Sequence, residues 1–209
     1  MIILITGAAG PTGRAVAEHF EKQGHTVVGV DKDDVDLLDR AAVQALAERV
    51  DAEHGRVDGV VHLVGGWRGG KTFADTDLDD WNLLHDLLVR TLQHVTLAFE
   101  PLLRKSGNGR FAIVSAKAAE TPTAGGACYA AAKAASEAWT RSLADALRDT
   151  GSAAVILVVK ALVNDAMRAA KPEARFEGFT DVRTLAEAIG GLYERPAAQI
   201  NGTRLDLTA

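Results

Sequence analysis

Short apolar runs alternate with amphipathic segments along the whole chain. The runs predict strands over residues 2–5, 25–30, 57–63, 110–115 and 153–159, and the continuous run at residues 2–5 is typical of a strand that is buried on both faces. Between them, apolar residues recur at helical spacing over residues 14–23, 39–53, 78–103, 125–150 and 182–194. Two shorter segments also predict strands, a minimal one at residues 35–37 and an edge strand at residues 202–207.

This alternation predicts the fold class. Strands that are joined by helices form a parallel sheet, because each crossover helix packs back onto the sheet. We expect an α/β fold: a single-domain, Rossmann-type, doubly wound parallel sheet of about seven strands with helices on both faces. No repeat or linker interrupts residues 1–209, so we expect one domain.

A glycine-rich turn joins the first strand to the first helix. Glycines stand at Gly7, Gly10 and Gly13, with Pro11 and Thr12 between the last two. The first allows a tight turn, the second allows a pyrophosphate to approach the backbone, and the third allows the helix to pack on the strand. The helix N-terminus then offers free amides to the phosphates, so these five residues are predicted to bind a dinucleotide.

An acidic residue ends the second strand. The Asp31 carboxylate is placed to accept hydrogen bonds from the adenosine ribose hydroxyls and to repel a 2′-phosphate. It therefore favours NAD(H) over NADP(H), although Lys32 partly offsets the repulsion. Asp36 and Leu37 close the next segment and are candidates for the adenine pocket.

Tyr129 and Lys133 form a YxxxK pair on a predicted helix. A spacing of four places both side chains on one helical face. The lysine charge is expected to lower the pKa of the phenol, which would make Tyr129 a proton donor or acceptor near neutral pH. Ser115 ends the preceding strand, and its hydroxyl is a candidate hydrogen-bond donor to a substrate carbonyl.

Composition and charge restrict the partners, the location and the metal content that we expect. The net charge of −5 argues against nucleic acid or an anionic membrane as a partner. No apolar run approaches the length of a membrane span, and the apolar opening is too short for a signal peptide, so we expect a cytoplasmic protein. Cys128 is the single cysteine, and the histidines lack metal-ligand spacing, so no metal is expected.

These motifs together resemble the short-chain dehydrogenase/reductase superfamily. The resemblance covers essentially the whole chain and includes the strand end Leu63-Val64-Gly65-Gly66. It implies hydride transfer between a nicotinamide and a small-molecule substrate, with Val64, Gly65 and Gly66 at the cofactor. Tyr129 would be the general acid, Ser115 the carbonyl stabiliser, and Lys133 the ribose ligand. It also implies a homodimer or homotetramer through the long helices.

Within the superfamily, the chain looks most like the dihydropteridine reductase branch. The segment GGWRGG at residues 65–70 and the segment SAKAA at residues 115–119 are similar to that branch. The resemblance implies NADH-dependent reduction of a quinonoid pterin, with Trp67 stacking on the flat ring. Ser115 departs from the branch and leaves ordinary carbonyl reduction open.

Three positions depart from the superfamily pattern. Leu88 stands at the helical asparagine, Lys160-Ala161 at the usual Pro-Gly, and Asp165 at a threonine that often contacts the carboxamide. These departures leave a second hypothesis, a dinucleotide-sensing protein with weak or no turnover. The presence of Ser115, Tyr129 and Lys133 argues against it.

Overall fold

The apolar runs form a parallel sheet in the computed structural model, which describes residues 1–208. The strands in chain order are β1 (Ile2–Thr6), β2 (Thr26–Val30), β3 (Gly59–His62), β4 (Arg110–Ala116), β5 (Ala153–Val159), β6 (Leu162–Val163), β7 (Thr180–Asp181) and β8 (Arg204–Asp206). Six of them make the main sheet in the order β2-β1-β3-β4-β5-β8, and β6 pairs with β7 separately. Every pairing is parallel, as predicted.

Residues 35–37 do not form the predicted strand. The side chains of Val35 and Leu37 are buried, which explains the apolar pattern. Their backbone turns instead: the Val35 amide donates to the Asp31 carbonyl, and the Asp39 amide donates to the Asp36 carbonyl. The main sheet therefore has six strands rather than about seven.

The amphipathic segments form helices. They are α1 (Pro11–Lys22), α2 (Arg40–His54), α3 (Leu78–His85), α4 (Thr91–Ser106), α5 (Ala127–Ala146), α6 (Asp165–Ala170), α7 (Val182–Gly190) and α8 (Ala197–Ile200). The helix predicted over residues 78–103 is α3 and α4, joined by a π-helical turn at Asp86–Arg90. Within residues 1–208, none of the helices has both the length and the apolar character needed to cross a bilayer.

Helices cover both faces of the sheet. Buried side chains of α2, α4 and α5 pack on one face, and those of α1, α7 and α8 pack on the other. A third, smaller apolar cluster lies between α3, the π turn and α5; it contains Leu84, Leu88, Val89, Cys128 and Ala132. This arrangement confirms the predicted doubly wound fold.

Buried polar residues hold the amino-terminal edge of the sheet. The Asp58 carboxylate accepts hydrogen bonds from the Ile2 amide at 2.8 Å and the Ser106 hydroxyl at 2.6 Å. The Tyr193 hydroxyl donates to the Asp58 carbonyl at 2.7 Å. Arg110 is buried beside them and donates from Nε to the Leu192 carbonyl. These contacts leave the opposite edge of the sheet, at the carboxyl ends of the strands, available for a functional site.

The strand order places a crevice at that opposite edge. β1 pairs with β2 on one side and with β3 on the other. The connection from β1 to β2 therefore moves along the sheet in one direction, and the connection from β3 to β4 moves in the opposite direction. Ligands of open α/β sheets bind at such a switch point, beyond the carboxyl ends of the strands. The glycine-rich turn follows β1, at this position.

Candidate active site

Two adjoining cavities lie beyond the carboxyl ends of the strands. One, of about 500 Å³, is lined by Gly7, Gly10, Asp31, Asp36 and Leu37 among others. The other, of about 290 Å³, is lined by Thr12, Ser115, Tyr129, Lys133 and Trp67 among others. Leu63, Val64 and Gly65 line both cavities. The structure thus brings most of the predicted site residues to one continuous crevice.

The glycine-rich turn has no room for side chains. Gly7 has a φ of +76°, and a Cβ there would lie 3.1 Å from the backbone carbon of Leu63. A Cβ on Gly13 would lie 2.3 Å from the Gly7 carbonyl oxygen, which excludes any larger residue. Pro11 begins α1, and the preceding Gly10 provides no side-chain cap for its free amides. The turn is therefore a cradle that fits a pyrophosphate.

Asp31 lies beside this turn at the end of β2. Its carboxylate accepts hydrogen bonds from the backbone amides of Lys32 at 2.8 Å and Ala9 at 2.9 Å. These two bonds hold the pKa of Asp31 below its usual range, so the group is charged at neutral pH. The larger cavity therefore presents a fixed negative charge where the adenosine end of a dinucleotide would lie.

Asp36 and Leu37 form the other wall of the larger cavity. The Asp36 carboxylate accepts the Leu38 amide at 2.9 Å, which stabilises a turn. The Leu37 carbonyl lies 3.0 Å from Nδ1 of His94 on α4, and the Leu37 side chain is buried. This wall is fixed by the core, although it is not part of the sheet.

Tyr129 and Lys133 share one face of α5, at the smaller cavity. Lys133 is 9% exposed, and its ammonium donates to the Val114 carbonyl at 2.7 Å. The Lys133 Nζ lies 5.8 Å from the centre of the Tyr129 ring. Burial lowers the pKa of Lys133 to about 8, against an opposing effect of Glu137. Lysine and phenol are close enough to influence the same reacting group.

The expected lowering of the Tyr129 pKa is wrong for this structure. Burial raises the pKa of the phenol above its usual value, because an ionised phenol would lose its hydration. The Lys133 ammonium points to the Val114 carbonyl and does not outweigh burial. Tyr129 therefore holds its proton at neutral pH.

Ser115 is buried at the back of the smaller cavity. Its hydroxyl donates to Glu137 Oε1 on α5 at 2.7 Å. A hydroxyl has one proton, so this bond engages the donor that a substrate carbonyl would need. The assignment of Ser115 as a carbonyl ligand stays a prediction, and it requires this hydroxyl to turn away from Glu137.

His62 and Leu88 form the floor between the cavities. His62 lies 2.8 Å from the Thr6 hydroxyl and 3.3 Å from the Thr91 hydroxyl. Burial, with a smaller effect of the Lys133 charge, lowers its pKa to about 3, so it is a neutral core histidine. Leu88 is buried below Gly65, and its carbonyl accepts the Ser136 hydroxyl at 2.8 Å.

Trp67, Lys160 and Ala161 line the smaller cavity, whereas Asp165 lies outside it. Trp67 follows Gly66 and is 59% exposed, so its indole is not a core residue. Lys160 and Ala161 line the opposite side, where the Lys160 ammonium donates to the Glu177 carbonyl. Asp165 lies in α6, with its carboxylate bound by Arg183 at 2.8 Å. Trp67 is thus available to a flat ligand.

Glu137 is the residue of this site that the sequence reasoning missed. It is 4% exposed and one helical turn beyond Lys133. A carboxylate in an alanine-rich helix is typical of a solvated surface, so the sequence did not indicate that Glu137 is buried. The available signal was its spacing of four from Lys133 on the helix.

Two enzymes of known activity are similar to this chain in sequence. The 3-oxoacyl-(acyl-carrier-protein) reductase FabG of Escherichia coli is 24% identical over 98% of this chain and 94% of its own length. The NADP-dependent 3-hydroxy acid dehydrogenase YdfG of Escherichia coli is 27% identical over 64% of this chain. The matched region spans 61% of the length of that dehydrogenase.

Solved structures share the fold. The 3-ketoacyl-(acyl-carrier-protein) reductase from Brucella melitensis complexed with NADH has a TM-score of 0.82 and 24% identity, over 99% of this chain and 96% of that one. ElxO with NADP bound has a TM-score of 0.88 and 16% identity, over the same shares of the two chains.

The family model for short chain dehydrogenases matches residues 32–175, more than half of the sequence. The chain therefore belongs to the short-chain dehydrogenase family.

Proposed function

We propose that this chain is a NAD(P)-dependent oxidoreductase, with residues 1–209 as one domain, that reduces a small carbonyl or quinonoid substrate. The observation that carries the proposal is the position of Tyr129 and Lys133 in a cavity that adjoins the glycine-rich cradle. When bound, the nicotinamide cofactor supplies the hydride. The protein supplies binding, orientation and the proton.

The cradle and Asp31 are proposed to hold the dinucleotide. Gly7, Gly10, Pro11, Thr12 and Gly13 would surround the pyrophosphate, where a Cβ on Gly13 would collide with the backbone. The charged Asp31 would accept ribose hydroxyls, which supports NAD(H) as the preferred cofactor. The relatives include a reductase complexed with NADH and an NADP-dependent dehydrogenase, so this preference rests on Asp31 alone.

Further residues are proposed for the two ends of the cofactor. Asp36 and Leu37 would line the adenine pocket, because they form the outer wall of the larger cavity. Val64, Gly65 and Gly66 follow β3 at the junction of the cavities and would lie along the nicotinamide half.

Tyr129 is the proposed general acid. Its phenol stays protonated at neutral pH, because burial raises its pKa. In reduction it would donate that proton to the oxygen of a carbonyl substrate, or to a ring heteroatom of a quinonoid one, and the nearby Lys133 charge would stabilise the phenolate that forms. Lys133 would also turn from the Val114 carbonyl to the nicotinamide ribose.

A quinonoid pterin is the proposed substrate, and small carbonyls are the alternative class. The exposed indole of Trp67 at the mouth of the smaller cavity supports it, because a flat heterocycle can stack there. The resemblance of residues 65–70 to the dihydropteridine reductases supports the same substrate. Small carbonyls remain the competing substrates, since Ser115 lines the cavity.

We also propose a homodimer or homotetramer that forms through α4 and α5. Leu97 on α4 is 54% exposed, and the exposed positions of α5 include Ala131, Ala134 and Ala138. Small side chains allow helices of two subunits to approach closely. Mass measurement in solution tests this assembly.

A substrate screen tests the proposed function. Oxidation of NADH and NADPH would be followed by absorbance with quinonoid dihydropterin and with a panel of small ketones and oxoacyl thioesters. We expect oxidation of NADH with the pterin. Turnover on ketones alone would reject the pterin, whereas dinucleotide binding without any turnover would favour the dinucleotide-sensing alternative.

A further inference from the structure

Glu137 is a charged residue inside the protein, beside the proposed active site. Its Oε1 accepts the Ser115 hydroxyl at 2.7 Å. Its Oε2 lies 3.0 Å from the Arg141 guanidinium and 3.0 Å from Arg204 Nε. Burying a carboxylate is costly unless it is paired and hydrogen-bonded, and here both conditions are met. The arrangement keeps a negative charge in the interior.

The contacts of Glu137 join three elements of the fold. Glu137 and Arg141 lie on α5, Ser115 lies on β4, and Arg204 lies on the edge strand β8. Arg204 also donates to Glu120, which follows the short helical turn after β4, at 2.7 Å. We call these five residues the Glu137 cluster. Its two carboxylates and two guanidiniums balance each other in charge.

The cluster is directly linked to Lys133. Glu137 follows Lys133 by four residues, so the two side chains share a face of α5. The Lys133 ammonium donates to the carbonyl of Val114, and the next residue of that strand, Ser115, donates to Glu137. Lysine and glutamate are therefore fixed to adjacent positions of β4.

Few other charges influence Lys133. His62 on β3 is neutral, and Tyr129 on α5 holds its proton. Burial lowers the pKa of Lys133 to about 8, and Glu137 is the group that acts in the opposite direction. Arg141 and Arg204 are both paired with the Glu137 carboxylate.

We propose that Glu137 is a positioning residue of this site: its charge keeps Lys133 protonated, and its oxygen holds the Ser115 hydroxyl against α5. Arg204 on β8 sets the strength of that charge, because it is the counter-ion from outside the helix. The inference rests on the proposed function only in taking Lys133 as the partner of Tyr129.

Two variants should shift the pKa of Lys133 in opposite directions. Glu137→Gln removes the negative charge and leaves Arg141 and Arg204 nearby, so the lysine should lose its proton at lower pH. Arg204→Gln removes a positive charge and leaves Glu137 less neutralised, so the lysine should keep its proton to higher pH. A purely structural role would not predict opposite signs.

The test is an NMR titration of the full chain labelled with ¹³C at lysine Cε, without cofactor. The Lys133 resonance is identified by its loss in Lys133→Gln. We expect the titration midpoint to fall by about one pH unit in Glu137→Gln and to rise by about half a unit in Arg204→Gln. Glu18→Gln, which removes an exposed carboxylate paired with Lys22, is the matched control and should leave the midpoint unchanged.

Midpoints that do not move, or that move in the same direction in both variants, would overturn the proposal. Thermal unfolding shows whether each variant is folded, and Arg204→Gln still tests the sign if Glu137→Gln does not fold. The measurement needs no substrate. Absence of turnover in the substrate screen would thus reject the proposed function and leave the titration result in place.

Discussion

The Asp31 carboxylate accepts the backbone amide of Ala9, 22 residues earlier, at 2.9 Å. One side chain therefore both fixes the glycine-rich turn and carries the charge that would select the cofactor. The two roles can be partly separated. An asparagine loses the charge and keeps one oxygen that can accept the Ala9 amide, although its NH₂ group then faces the Lys32 amide.

Asp31→Asn should shift the cofactor preference toward NADPH. The variant no longer repels a 2′-phosphate, so we expect the ratio of NADPH to NADH affinity to rise by about tenfold. Fluorescence titration of both dinucleotides measures the ratio. Asp33→Asn makes the same charge change at an exposed neighbour and should leave the ratio unchanged. If the ratio is the same in wild type and in Asp31→Asn, Asp31 does not select the cofactor.

Tyr129→Phe should abolish most turnover and retain cofactor binding. Loss of a general acid typically costs about 100-fold or more in rate. Stopped-flow or steady-state oxidation of NADH on any active substrate measures the loss, and NADH titration checks binding. Tyr193→Phe is the matched control, because that tyrosine donates to the Asp58 carbonyl at the opposite edge of the sheet. A Tyr129→Phe variant with normal turnover would exclude the proposed proton donor.

Ser115→Ala should reduce turnover much less than Tyr129→Phe does. The Ser115 proton is donated to Glu137, so its removal leaves the pocket with the same donors. We expect a loss of no more than about tenfold in kcat, and a fall of about 1 kcal/mol in the free energy of unfolding. If turnover fell as far as in Tyr129→Phe, the hydroxyl must turn to the substrate during the reaction.

Asp58 should make the stability of the fold sensitive to acid. Burial acts to raise the pKa of Asp58, but hydrogen bonds from Ser106 and Ile2 and the charge of Arg56 hold it below its usual value. A carboxyl whose pKa is lower in the folded state stabilises the fold at pH values above its unfolded pKa, near 3.8. That contribution disappears as the pH falls through the folded pKa.

Urea unfolding of Asp58→Asn tests this directly. At pH 7 the variant should be less stable than wild type by about 2 kcal/mol, and the difference should shrink below about pH 4. Asp33→Asn again is the exposed control, with no comparable difference at either pH. A difference that does not change with pH would show that Asp58 acts through packing alone.

Most of the fold follows from patterns within short segments. The apolar runs predict β1, β3, β4 and β5 because each of these strands is buried on both faces, whereas the edge strand β2 is only partly buried. The glycines predict the turn because backbone atoms fill the space around it. Residues 35–37 show the limit: burial of Val35 and Leu37 produces a strand-like pattern, whereas hydrogen bonds made by the local backbone produce turns.

The site is less predictable, because its electrostatics depend on residues far apart in the chain. Spacing alone places Tyr129 beside Lys133, but the sign of the phenol pKa depends on burial by the assembled fold. Inside the fold, Glu137 is paired with Arg204, which is 67 residues away and on another element. No local pattern contains that information.

The π turn at Asp86–Arg90 makes the site depend on the length of the chain at that turn. Its closing bond runs from the Thr91 amide to the Asp86 carbonyl, so the turn holds one residue more than an α-helical turn. Deleting that residue would rotate α3 relative to α4 by about 100° and carry Trp81 and Leu84 away from the apolar cluster that supports Tyr129. A substitution in the π turn would change the contacts of one residue, whereas a single-residue deletion would displace all the side chains of α3 that pack beside Tyr129.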